Sequence, residues 1–250
     1  MKAKYWLEHF QGNATGRAEP EWHLPSPLTG ATRRELARSL SHFQLGESGE
    51  GGFLLRQARE QFPDDHTYAQ ALELFVAEEK EHARLLAHLV ERFGGALIRR
   101  HWTHSLFRLV RRALGLRFEI QVLVIAELVG TAYYRLLHRR TRDPVLEEVC
   151  ALVLRDEASH VAFHADWLGE FQKRLLPLER ALWASQFQLL FTVAAQVAWV
   201  DHRAALSSTG ATRAEFFREA RAECIAFLEQ ISAASASRRL GGTTSVSSSF

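Results

Sequence analysis

Apolar side chains recur every three to four positions over most of this chain, and no stretch of strand length alternates with period two. Windows such as ELARSLSHFQL, LELFVAEEKEHARLLAHLV and VLEEVCALVLRDEASHVAF put Leu, Val, Ala and Phe on one face of a 3.6-residue helix. Caps and breakers then place the boundaries. Thr29 or Thr32 opens a helix over about 31–62, and Pro63-Asp64-Asp65 turns the chain into a second over about 66–93, stopped by Gly94-Gly95. A connection over 94–115 carries a short amphipathic helix, SLFRLVRRAL. A third helix covers about 116–140, and the turn Thr141-Arg142-Asp143-Pro144 leads into a fourth ending near 175. Two more follow, over about 178–206 and 211–235. The pattern predicts an all-α protein.

Residues 1–29, with Gly12, Gly16, three prolines and scattered aromatics, read as an irregular arm. Residues 30–175 read as a four-helix bundle, and 176–235 as helices packed on the bundle or on a partner subunit, with a homodimer as one outcome. The low-complexity run over 236–250 reads as a disordered tail. One segment, ALWASQFQLLFTVAAQVAWV over 181–200, has no charge and the length of a bilayer span. Its Ser185, Gln186, Gln188, Thr192 and Gln196 are costly in lipid, so a buried or interface helix is expected there, and no membrane span.

Composition changes this picture little. The chain has 250 residues, 47% of them apolar, which is enough for a substantial core. A net charge of +2 does not point to a polyanion-binding protein, and nucleic acid is not expected as a partner. Cys150 and Cys224 sit in no metal or redox spacing, and MKAKYWLEHFQGN lacks the apolar core of a signal peptide. Both features lead to the expectation of a cytoplasmic protein.

The candidate chemistry lies in two repeated pairs, Glu79-x-x-His82 in the second helix and Glu157-x-x-His160 in the fourth. Residues at i and i+3 share a helix face, so one ion can take both side chains. A lone glutamate precedes each pair at a matching distance, Glu50 by 29 residues and Glu127 by 30. The midpoints of the two intervals fall in the two predicted turns. Each antiparallel hairpin therefore sets its lone glutamate level with its Glu-x-x-His pair, roughly 20 Å from the turn at 1.5 Å per residue. Glu127 is moreover the one ionisable group in VLVIAELVG, and a buried carboxylate is unfavourable unless paired or metal-bound. Four carboxylates and two neutral imidazoles balance two divalent cations.

The run GESGEGG around Glu50 has four glycines, each costing about 0.5–1 kcal/mol in a helix interior. A phosphate-binding loop would need a Gly-Lys-Ser/Thr opening a helix after a strand, which is absent. The glycines instead give close approach to the helix at Glu50 or permit a π-bulge, with a plain kink as the alternative. Glu47, one turn earlier on the same face, is the rival ligand. Asp156, just before Glu157, can orient a ligating histidine; Glu78 holds the same place before Glu79, with solvated surface charge as its alternative. His164, one turn beyond His160, is either a further ligand or a satisfied core histidine. Glu119, two turns before Glu127, reads as a pore or surface residue.

With Glu50, Glu79-x-x-His82, Glu127 and Glu157-x-x-His160 in place, residues 31–175 resemble the ferritin-like di-iron carboxylate proteins. Spacing and the run AELVGTAYY are most similar to compact members such as aldehyde-deformylating oxygenases and rubrerythrins. The resemblance implies a ferritin-like four-helix bundle with a crossover between helices 2 and 3, here followed by two additional C-terminal helices. It implies two iron ions, or manganese or a mixed pair, held by Glu50, Glu79, His82, Glu127, Glu157 and His160. It also implies O2 or peroxide activation on a small-molecule substrate, with electrons from a separate donor, since no Cys-x-x-Cys knuckle is present. Iron oxidation and storage, or a metal-binding structural role, are the rival readings. Tyr133 and Tyr134 fit either redox work or aromatic packing. The arginines over 99–117 fit an anionic or carrier-bound substrate, an RNA as in one hydroxylase of this superfamily, or a solvated helix face.

Overall fold

The computed structural model of the protein describes residues 2–49, 51–61, 63–103 and 115–236. These form an all-helical bundle: α1 (Ala3–Ala14), α2 (Gly30–Glu47), α3 (Gly52–Gln61), α4 (His66–Arg92), α5 (Leu116–Arg140), α6 (Pro144–Gln172), α7 (Pro177–Ser208) and α8 (Arg213–Ala236). No strand occurs among the described residues. Helix α2 packs along α4 and α5 along α6, while α4 meets α6 between the two pairs. Helix α7 covers α2 and α5, and α8 lies on α5 and α6.

The local chemistry of the caps accounts for the hairpins. Thr29 Oγ1 accepts from the Thr32 amide at 3.2 Å and starts α2. Asp65 accepts from the Tyr68 amide at 3.0 Å, and Asp143 from the Leu146 amide at 3.0 Å, opening α4 and α6 at the two predicted turns. Pro144 occupies the first turn of α6, where its missing N–H costs nothing. Helices α4 and α6 run antiparallel, with Arg92 at the end of α4 3.5 Å from Asp143 at the start of α6.

Two sequence expectations are corrected. The helix expected over 31–62 is two helices, α2 and α3, separated at 48–51. Gly51 has φ +62°, and a Cβ there would stand 2.6 Å from Val76 Cγ2, so the chain can turn only on glycine while touching α4. The arm over 1–29 is not irregular throughout, because Ala3–Ala14 is helical. Ala3, Trp6, Leu7 and Phe10 form an i, i+3, i+4, i+7 stripe against the core, and Trp6 and Phe10 are 6% and 0% exposed. Burying two such aromatics contributes roughly 1.5–3 kcal/mol each, enough to outweigh the poor helix propensity of Gly12. The short helix expected over 105–114 and the tail over 237–250 lie outside the described residues.

Helix α5 is long and apolar enough to cross a membrane, and its apolar stretch is 83% buried in the bundle. The uncharged segment 181–200 belongs to α7, whose two faces differ. Trp183, Phe187, Phe191 and Ala195 are buried against the bundle. On the opposite face Leu178, Leu182, Leu189, Val193 and Val200 are all more than half exposed. Leu178, Leu189 and Val200 recur every 11 residues, as do Leu182 and Val193, a period that keeps a stripe nearly straight along a helix for about 33 Å. Such a stripe matches an identical helix better than it matches water. The expected outcome is a dimer in sedimentation at micromolar concentration, converted to monomer by Leu182→Glu with Leu189→Glu. A wild-type monomer at the highest soluble concentration would show that the stripe needs no partner.

Candidate metal centre

The site lies where α4 meets α6. One donor atom each from Glu79, His82, Glu157 and His160 lies within 4.8 Å of the other three. His160 Nδ1 is 2.8 Å from Glu79 Oε1 and 3.8 Å from Glu157 Oε2, and His82 Nδ1 is 3.5 Å from Glu157 Oε1. His82, Glu157 and His160 are buried. The two i, i+3 motifs meet because α4 and α6 run antiparallel and because Glu79 and Glu157 each stand 14 residues beyond their caps, Asp65 and Asp143, near mid-helix.

The other imidazole nitrogens are held reciprocally. His82 Nε2 donates to Asp156 Oδ2 at 3.2 Å, and His160 Nε2 donates to Glu78 Oε2 at 2.9 Å. Each histidine is thus anchored by the carboxylate that precedes the glutamate of the opposite motif. With the proton on Nε2, both Nδ1 lone pairs are directed into the cluster. Glu78, for which solvated surface charge was the alternative reading, is buried. Arg17, from the segment after α1, closes the ring: Nη2 is 2.9 Å from Glu78 Oε1 and Nη1 is 2.9 Å from Asp156 Oδ2. No periodicity or motif marks Arg17 in the sequence, and its role became visible only through the fold.

The other predicted residues fall around this centre. Glu47, the last residue of α2, shares a hydrogen bond with Glu79 and interacts with Glu157 and Glu127. Glu50, preferred over Glu47 from the spacing, lies outside the described residues. Glu127 on α5 accepts from His164 Nε2 at 3.0 Å, which gives His164 a carboxylate partner on the same side. Glu119, read as a pore or surface residue, is fully buried. Tyr134 is buried close enough to Glu47 to be influenced by its charge, and Tyr133 contacts Ser39 through a 2.6 Å hydrogen bond. Phe75 stands edge-on to His160 and His164 at 4.7 and 5.0 Å, and Phe10 packs against His160 and Phe163, so aromatic rings wall the cluster from solvent. Of the arginines over 99–117, Arg99, Arg100 and Arg117 are described, and Arg117 stacks on Phe171.

The donor set fits divalent transition-metal ions. Glu79 Oε1, His82 Nδ1, Glu157 Oε2 and His160 Nδ1 are buried and have no hydrogen-bond partner, although they crowd one another. Glu127 Oε2 is in the same condition. Buried polar atoms left in this state are expensive, and a cation among them removes the cost. Carboxylate and imidazole together suit iron, manganese or zinc.

No family model, curated protein or solved structure matches this chain.

Protons stand in for cations when the cluster is metal-free. Burial alone would lower His82, but its bonds to Asp156 and Glu157 outweigh that and raise it to about 9. Burial likewise opposes charge on His160, yet Glu79 and Glu78 hold its pKa well above the usual range. Burial raises Glu47 strongly, reinforced by Glu79, and burial also raises Glu157 despite its contact with His82. Glu79 is pushed the other way: the Glu47 hydroxyl and His160 overcome its burial and keep it ionised. Loading a metal must therefore expel protons from His82, His160 and Glu47.

A group with a raised folded pKa stabilises the fold fully below its unfolded value and loses that contribution as pH rises through the folded one. For His82 the window is 6.5 to about 9, so the metal-free protein should lose several degrees of Tm between those pH values while metal affinity rises. Calorimetric titration in buffers of different ionisation enthalpy should register net proton release on metal binding; no release would contradict the charge assignment. Arg17→Ala should weaken metal binding about 10–100-fold by freeing the two carboxylates that orient the histidines, and Arg17→Lys should restore part of it.

Proposed function

We propose that this chain is a ferritin-like bundle, crossing over between its two hairpins, whose carboxylate–histidine cluster holds two iron ions and activates O2 or peroxide toward a small organic substrate. Manganese or a mixed pair suits the same donors. The observation that carries the reading is the reciprocal anchoring of His82 by Asp156 and His160 by Glu78, which directs His160 Nδ1 at the buried Glu79 Oε1 and His82 Nδ1 at Glu157 Oε1. Glu79, His82, Glu157 and His160 would hold the ions, with Glu47 and Glu127 completing the set at its α2 and α5 sides. Bound there, the metal pair would supply the redox equivalents for reducing the oxidant.

The chain's own residues supply position, charge and dryness. Asp156 is held at about 2, since bonds from His82 and attraction to Arg17 overcome its burial, so it stays a hydrogen-bond acceptor throughout the neutral range. Glu78 is lowered for the matching reason, His160 and Arg17 outweighing burial. Glu47, with its raised pKa, can keep a proton beside Glu79 and give it up when positive charge arrives. Phe10, Phe75 and Phe163 exclude bulk water, which strengthens every electrostatic contact inside. The sequence has no Cys-x-x-Cys knuckle, so reducing equivalents would come from a separate donor.

The test is metal analysis of protein purified without oxygen or chelators, followed by rapid mixing of the reduced, iron-loaded form with O2. His82→Ala and Glu157→Ala should each lower bound metal by at least one ion per chain. A transient absorbance followed by oxidised iron that stays bound is the expected result. Continued oxidation of many ferrous ions per chain would decide for iron storage. No reaction over hours would leave a metal-binding structural protein.

A further inference from the structure

A second group of ligand-type side chains lies on the other side of α2, outside the cluster described above. We propose that His42 of α2, His101 of the segment after α4 and Asp201 of α7 form a separate, mononuclear site for a divalent transition-metal ion. One donor atom from each lies within 4.8 Å of the other two. His42 Nδ1 is 3.0 Å from Asp201 Oδ2, and His101 Nε2 is 3.7 Å from Asp201 Oδ1, so the carboxylate offers one oxygen to each imidazole. The side chains are only 9%, 18% and 11% exposed.

Several features distinguish this group from an ordinary surface ion pair. The rings of His42 and His101 stack with centroids 3.9 Å apart, so both imidazoles converge on one place. His101 Nδ1 is held by Thr103 Oγ1 at 2.6 Å, so its Nε2 is the atom presented to Asp201. A third imidazole completes the wall. His202 is fixed through Nδ1 to Ser39 Oγ at 2.8 Å and stacks on Phe43, leaving Nε2 3.8 Å from Asp201 Oδ2.

Two imidazoles and one carboxylate, with a third imidazole at the edge, select zinc, cobalt or iron over magnesium and calcium, which require oxygen ligands. The three ligands come from positions 42, 101 and 201, so a bound ion would clasp α7 and the segment after α4 onto α2. No local spacing could announce such a site.

The test uses the full chain stripped of metal and titrated with Co2+ alone, followed by visible absorbance and calorimetry. To separate this site from the proposed dinuclear centre, the titration is repeated in a Glu157→Ala/His160→Ala background. One Co2+ per chain should remain there, with the absorbance of a low-coordinate nitrogen–oxygen site. His101→Ala and Asp201→Asn in that background should each weaken it at least 10-fold, with helicity by circular dichroism unchanged. If wild type binds a single ion and His101→Ala removes it, this site stands and the dinuclear reading fails. Absence of Co2+ from the Glu157→Ala/His160→Ala protein while its helicity is intact, or binding there that is indifferent to His101→Ala and Asp201→Asn, would overturn the proposal. Should that background not fold, the titration is made on wild type against His101→Ala, where loss of one ion supports the site and an unchanged count sinks it.

Discussion

Arg17 stands between two carboxylates that arrive from different helices, Glu78 on α4 and Asp156 on α6, 2.9 Å from each. Those carboxylates hold His160 and His82, and the histidines in turn face Glu79 and Glu157. The chain thus alternates positive and negative groups from a partly exposed guanidinium to a fully buried centre. Removing charge anywhere along it leaves the next group uncompensated in a medium where charge is costly. This constrains the fold as a whole. Helices α4 and α6 must stay close enough for reciprocal bonds, and the arm must return from α1 to deliver Arg17. That arm is pinned in turn by Arg84 to Glu19 and by Arg92 to the carbonyls of Trp22 and Leu24.

The break after α2 belongs to the same constraint. Glu47 is the final residue of that helix, at the end where the unsatisfied carbonyls carry partial negative charge. An ionised carboxylate is disfavoured at that end, in the same direction as its burial and the nearness of Glu79. Gly51 lets the chain turn against Val76 and restart as α3. A carboxylate at a helix terminus beside an ionised partner is well suited to hold a proton that a cation can displace.

How much of this could be read beforehand depends on where each residue sits. Glu79, His82, Glu157 and His160 were legible because both members of each pair lie on one regular helix, and because each pair stands at the same distance beyond a recognisable cap, Asp65 or Asp143, near the middle of its helix. Asp156 and Glu78 were legible as neighbours but their exchange across the helices was not, since it depends on the rotation of α4 against α6. The glycines around Glu50 announced a departure from regular helix, and the physical cost of glycine pointed to it, but a close approach to a continuous helix was weighted above a full break. Helix α1 was hidden because Gly12, Gly16 and three prolines make residues 1–29 read as an irregular arm, while the stripe of Ala3, Trp6, Leu7 and Phe10 spans only two turns. Arg17 lies in a segment without periodicity, where one arginine looks like any other. His42, His101 and Asp201 are brought together only by tertiary packing.

Both groups of ligand-type side chains hang on α2. Ser39, His42 and Phe43 face α7 and the segment after α4, while Glu47 reaches Glu79, only five residues or about 7.5 Å further along the axis from His42. Adjacent residues on a helix point about 100° apart, so the pair Tyr133 and Tyr134 on α5 can serve the two sides separately. Tyr133 bonds to Ser39 and through it meets His202, whereas Tyr134 lies within the influence of Glu47. Burial raises the pKa of both phenols, so each stays neutral beside its cluster. A rigid helix with polar residues at both places cannot shift at one end without moving the other. The position of α2 is therefore set jointly by Asp201 on α7 and Glu79 on α4, and its break after Glu47 leaves α3 free to pack without disturbing either.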